Sequence, residues 1–84
     1  MTRLLFFGRL RDAAGYGERH VRLPSHVRTV EDLRNWIAEA DAELGRALRA
    51  DGIKVAVDQV ICRAVDRSVR EASEVAFLPP LSGG

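Results

Sequence analysis

The chain is short of most features that give a small protein chemistry of its own. It has one cysteine, Cys62, so no internal disulfide framework can form, and such a chain suits a reducing compartment. It has no metal-ligand cluster, no phosphate-cradling glycine motif and no nucleophile motif. Its two histidines, His20 and His26, fall on the outer side of an expected strand and in an expected turn, which are surface positions. Charge of one sign is also missing. Thirteen basic against twelve acidic residues leave +1, too little field to attract nucleic acid. Twelve of the thirteen basic residues are arginine, spread evenly, which reads as compositional bias. The apolar run Leu4-Leu5-Phe6-Phe7 is far too short for a signal segment or a membrane span. Repeats and low-complexity segments are absent too. The expectation is one cytoplasmic domain that catalyses nothing alone and binds no cofactor or metal.

The few glycines and prolines are unevenly placed. Two of the three prolines and two of the seven glycines fall in the last seven residues, Leu78-Pro79-Pro80-Leu81-Ser82-Gly83-Gly84. Proline has no backbone N–H and a fixed φ, so Pro79-Pro80 must end the apolar strand before it and send the chain on in an extended direction. Beyond them Leu81, Ser82, Gly83 and Gly84 form a narrow tail, residues 79–84 following a domain of residues 1–78. Six extended residues reach about 20 Å, enough to enter another protein's active site.

Upstream, period-2 and period-3.6 patterns alternate. Arg3 to Phe7 reads as a strand apolar on both faces, either fully buried or with one face meant for a partner. Gly8 ends it, a short helix spans Arg9 to Ala14, and Gly15 stops that helix. Glu18 to Leu23 reads as a second strand, antiparallel to the first, with Val21 and Leu23 inward. Thr29 is placed to cap the main helix, with Val30, Leu33, Trp36, Ile37 and Ala40 as its apolar stripe. Asp41 is placed to cap a shorter helix carrying Leu44, Ala47 and Leu48 and closed near Asp51-Gly52. Lys54–Val57 and Val60–Cys62 flank a two-residue turn at Asp58-Gln59, with Cys62 a small buried hydrophobe. Val69 anchors an irregular stretch, and Glu74–Leu78 is the last strand. This order predicts an α+β fold of the ubiquitin-like β-grasp kind: a mixed sheet, one main helix across it, and one or two short helices.

A terminal carboxylate is ionised at neutral pH, with a reference pKa of about 3.3–3.7, and is a poor electrophile. Adenylation by ATP gives it a leaving group, and a sulfur nucleophile can then displace AMP to leave a thiocarboxylate. Any Cβ on the last residue would crowd both steps, and glycine has none.

Here the sequence resembles the small, sulfur-carrier subunit of molybdopterin synthase. The likeness runs through Leu5-Phe6-Phe7-Gly8 with Arg11 and Gly15, Thr29-Val30-Glu31-Asp32-Leu33, and Val55-Ala56-Val57. It ends on Glu74-Val75-Ala76-Phe77-Leu78-Pro79-Pro80-Leu81-Ser82-Gly83-Gly84, its most telling block. The resemblance implies that an activating (adenylating) enzyme uses ATP to modify Gly84. The tail Pro79 to Gly84 would then enter the large synthase subunit and pass sulfur to cyclic pyranopterin monophosphate. It also implies an apolar docking patch at Phe7, Ile61 and Leu78. Asp58 stands where that family has asparagine, and Arg70-Glu71-Ala72-Ser73 replaces a glycine- and aspartate-rich turn. The same fold also serves sulfur carriers of thiazole synthesis and tRNA thiolation, and non-catalytic interaction modules. The Phe6-Phe7 strand and the Pro79-Pro80 tail favour the molybdopterin family among these.

Overall fold

The computed structural model describes residues 1–63 and 65–80. Among these, the elements run β1 (Thr2–Phe6), α1 (Arg9–Ala14), β2 (Glu18–Val21), α2 (Val30–Ala40), α3 (Ala42–Leu48), β3 (Lys54–Val57), β4 (Val60–Cys62) and β5 (Glu74–Leu78). The strands lie in the order β2-β1-β5-β3-β4. Strand β5 is central, parallel to β1 and antiparallel to β3, and the β1–β2 and β3–β4 pairs are antiparallel. This mixed sheet with helices on one face is the expected β-grasp.

Local chemistry accounts for the boundaries. Gly15 adopts the left-handed conformation at the end of α1, and its N–H donates to the Arg11 carbonyl. At the start of α2, Thr29 and Asp32 form a reciprocal capping box, with side chain-to-backbone bonds of 3.1 and 3.2 Å. The next free donors of that helix, Val30 and Glu31 N–H, reach the carbonyls of Arg67 and Val65 in the 65–70 loop. The Asp32 carboxylate also accepts the Arg28 N–H at 3.0 Å. That bond foremost, helped by those from Thr29 and the nearby His26, holds the Asp32 carboxyl below the usual carboxylate range. Asp41 caps α3 by accepting the Leu44 N–H.

The Asp58-Gln59 turn has φ of 49° and 70°, the mirror-image geometry that two-residue hairpins need. The Asp58 carboxylate accepts the N–H groups of Ser73 and Glu74 at 2.8 and 3.0 Å, so it ties the hairpin to the start of β5. Arg70, in the other departure from the family pattern, donates to the carbonyls of Pro24 and Val27. Both departures are therefore built into the fold.

One face of the sheet carries the core. Leu4, Phe6, Val55, Val57, Val75 and Phe77 meet Val30, Leu33 and Ile37 of α2 and Leu44 and Leu48 of α3, all buried. The Phe6 and Phe77 rings stack at 5.4 Å between centroids, and Tyr16 stands edge-on to Phe6 at 5.7 Å. The apolar stripe of α2 runs out earlier than its periodicity predicts: Trp36 is half-buried and Ala40 exposed. The reason is α3. A Cβ on Gly45 would come within 2.3 Å of the Ala38 Cβ, so the last turn of α2 rests on α3 instead of the sheet. Strand β2 likewise stops at Val21, two residues short, and leaves Leu23 half-buried beyond it.

Candidate functional site

Among the described residues, no helix lies over the opposite face of the sheet. Strand alternation puts the odd residues of β1 and the even residues of β3 and β5 on this side. Register then lines up Leu5 with Ala76, Ala76 with Ala56, and Ala56 with Ile61 across four strands. One row further on, Leu78 lies opposite Lys54. Phe7, just past the end of β1, donates its N–H to the Phe77 carbonyl at 3.2 Å and so sits beside Leu78. Phe7, Ile61 and Leu78 therefore share one face. Phe7 is 44% exposed and Ile61 54%, while Leu78 is half-buried.

The two alanines make the patch a shallow floor with raised sides. Had Ala56 and Ala76 been large, Leu5 and Ile61 would be separated by a ridge. These two alanines did not stand out in the sequence, although the large-small-large runs Val55-Ala56-Val57 and Val75-Ala76-Phe77 carried the signal; the exposed Val60, opposite Val57, belongs to the other face. Large apolar groups exposed together on a charged surface mark an interaction site. Lys54 and Arg63 at its border also line a cleft of about 740 Å³ with Val30, Arg34, Ile53 and Cys62. Cys62 is half-buried there, more accessible than a core hydrophobe, because β4 is a short edge strand.

At one end of this face the chain leaves β5. Pro79 is half-buried against Gly8, and Pro80, though exposed, lies beside Gly52. The prolines are thus still in contact with the domain. Leu81, Ser82, Gly83 and Gly84, the expected donor tip, lie outside the described residues.

Other chemistry is sparse. His20 and His26 are exposed, and the His20 Nε2 lies 3.0 Å from a Glu18 carboxylate oxygen. Among the described residues, no group of three His, Cys, Asp or Glu side chains is placed to hold a metal ion. No helix among them is long and apolar enough to cross a membrane. The geometry suits binding: an apolar face, and a chain leaving from its edge.

Known proteins resemble this arrangement over its whole length. The model of the ThiS family matches residues 4–84. A molybdopterin synthase sulfur carrier subunit of Escherichia coli is 32% identical over 84 residues, covering all of both chains. Its counterpart from Caenorhabditis briggsae is 34% identical, over 99% of this chain and 96% of the relative. Among solved structures, SAMP1 from Haloferax volcanii superposes with a TM-score of 0.80 at 24% identity, covering 99% of this chain and 98% of that one.

Proposed function

The chain belongs to the ThiS family, and from that premise we propose that it is a sulfur carrier of molybdenum cofactor biosynthesis. The observation that carries this reading is the pairing of an uncovered apolar face with Pro79 and Pro80 at its end, where the sequence continues as Leu-Ser-Gly-Gly. Relatives matched over 96% or more of their length bear the name of molybdopterin synthase sulfur carrier subunits, which supports it.

In this reading residues 1–78 are the docking body and residues 79–84 the delivery arm. The Gly84 carboxylate attacks the α-phosphorus of ATP inside an adenylating enzyme, and pyrophosphate leaves. A sulfide-level nucleophile then adds to the acyl carbon, the bond to AMP breaks, and a thiocarboxylate remains. Phe7, Ile61 and Leu78 dock on the large subunit of molybdopterin synthase while Pro79 to Gly84 enter it. Sulfur passes there to cyclic pyranopterin monophosphate, and Gly84 returns as a carboxylate. ATP belongs to the activating enzyme, and the carrier itself needs no cofactor. The cycle is one of the cytoplasm.

The test is intact mass after incubation with ATP, an adenylating enzyme and sulfide. The chain should gain the difference between one sulfur and one oxygen. A variant with one residue appended after Gly84 should stay unmodified yet folded, because chain ends contribute little to stability. Normal molybdopterin formation by that variant overturns the reading.

A further inference from the structure

The topology brings two turns to the point where the chain leaves β5. Strand β1 runs parallel to β5, so Gly8, two residues past its end, arrives at that end. Strand β3 runs antiparallel, so the residues before it, including Gly52, arrive at the same end from the other side. Between them lie the two prolines. A Cβ on Gly8 would stand 2.9 Å from the Pro79 Cγ, and one on Gly52 would stand 3.0 Å from the Pro80 Cβ. The first is closer than real Cβ atoms come, and the second is tighter than nine in ten real Cβ contacts, so the Pro80 ring would have to give by a few tenths of an ångström.

Backbone conformation alone does not account for this. Gly8, Gly15 and Gly52 all have positive φ, of 55°, 87° and 84°. At Gly15, however, a Cβ would meet nothing within 4 Å. Gly15 answers to its helix cap. Gly8 and Gly52 are also bare because a ring lies where a side chain would be.

We propose that Gly8 and Gly52 are positioning residues, two side-chain-free turns that seat the rings of Pro79 and Pro80 and set the direction in which the C-terminal arm leaves the sheet. This deepens the carrier reading and rests on it, since direction matters only if the arm must enter a partner. Proline stiffness alone is not enough: a stiff arm pinned at the wrong angle misses its channel. An arm both stiff and aimed has less freedom to lose on insertion.

The test reads direction without any sulfur chemistry. Nitroxides are placed at Ser82→Cys and Glu43→Cys in a Cys62→Ala background, and the distance distribution between them is measured. Gly8→Ala and Gly52→Ala should each shift its mean, whereas Gly15→Ala, also at positive φ but with open space around it, should leave it in place. In a Pro79→Ala background the shift from Gly8→Ala should vanish, because Cγ and Cδ are gone and the remaining Cβ lies at 4.0 Å. Pro80→Ala should not cancel Gly52→Ala, since it keeps the Cβ at 3.0 Å, but Pro80→Gly should. An unmoved distribution in both alanine variants, an equal shift from Gly15→Ala, or a Gly8→Ala shift that survives Pro79→Ala overturns the proposal. If the glycine variants do not fold, the doubly substituted Pro79→Gly, Pro80→Gly chain decides: a shifted mean supports the seats, and an unmoved mean, broadened or not, refutes them. A parent chain that never gains sulfur would sink the carrier reading and leave these distances standing.

Discussion

The two faces of the sheet are made by the same strands and obey opposite rules. On the inner face every position of β3 and β5 is large: Val55 and Val57, Val75 and Phe77, all buried under the helices. On the outer face the same strands offer Ala56 and Ala76, with Leu5, Phe7, Ile61 and Leu78 around them. One side is filled and closed; the other, among the described residues, is a floor with walls and no lid. The contrast teaches that apolar residues on this chain have two uses, separated only by the parity of a strand. Inner residues are committed to the fold, so their loss is a loss of stability. In the proposed reading, outer residues are left for a partner, so their loss should be read in affinity.

The largest expected effect breaks the inner side. Phe77→Ala removes a fully buried ring stacked on Phe6 and should cost about 3–5 kcal/mol of folding stability by denaturant unfolding. Any affinity lost for the large subunit should be explained by the unfolded fraction. The next sharpens the outer side. Ile61→Arg places a charge on an exposed edge-strand position and should change stability by no more than about 0.5 kcal/mol. Binding should nonetheless weaken about tenfold or more, as at an interface position worth over 1 kcal/mol. If both substitutions cost stability alone, the outer face is only an extension of the core.

A smaller effect belongs to the arm. Pro79→Gly with Pro80→Gly should leave the domain folded and the patch available, and weaken only the share of affinity that the arm adds. The loss expected is about 0.4–1 kcal/mol per proline, the usual value of removing backbone freedom in advance. Titrations of the large subunit with full-length and arm-deleted chains, in both backgrounds, measure it. The smallest effect lies away from both faces. Asp32 has a folded pKa below its ordinary value of 3.8, so the stability it adds is present above that value and is lost as pH falls through the depressed one. Asp32→Asn and the parent should therefore differ most at neutral pH and converge in strong acid, with affinity for the partner unchanged.

Much of this was legible in the sequence, for local reasons. Thr29 and Asp41 mark their helices because capping is chemistry between near neighbours, and the Asp58-Gln59 turn is likewise self-contained. The outer face was half legible. Phe7 stood out as one apolar residue too many on a two-faced strand, but the alanine floor depends on which strands become neighbours. The buried stripe of α2 was overdrawn at Trp36 and Ala40, since nothing local says that α3 will intervene at Ala38. The seats for Pro79 and Pro80 were not legible at all. Gly8 and Gly52 read as punctuation, a strand end and a helix end, until the parallel β1–β5 pair and the antiparallel β3–β5 pair bring them together.

The division of labour between the faces is tested most directly at Phe7, measured twice on one protein. Unfolding gives the stability of Phe7→Ala, and titration with the large subunit gives its affinity. The account predicts a stability change well below the roughly 3–5 kcal/mol of a buried phenylalanine. It predicts an affinity loss of about 2 kcal/mol or more, as at a binding hot spot. A large fall in melting temperature with unchanged affinity would place Phe7 in the core and contradict it.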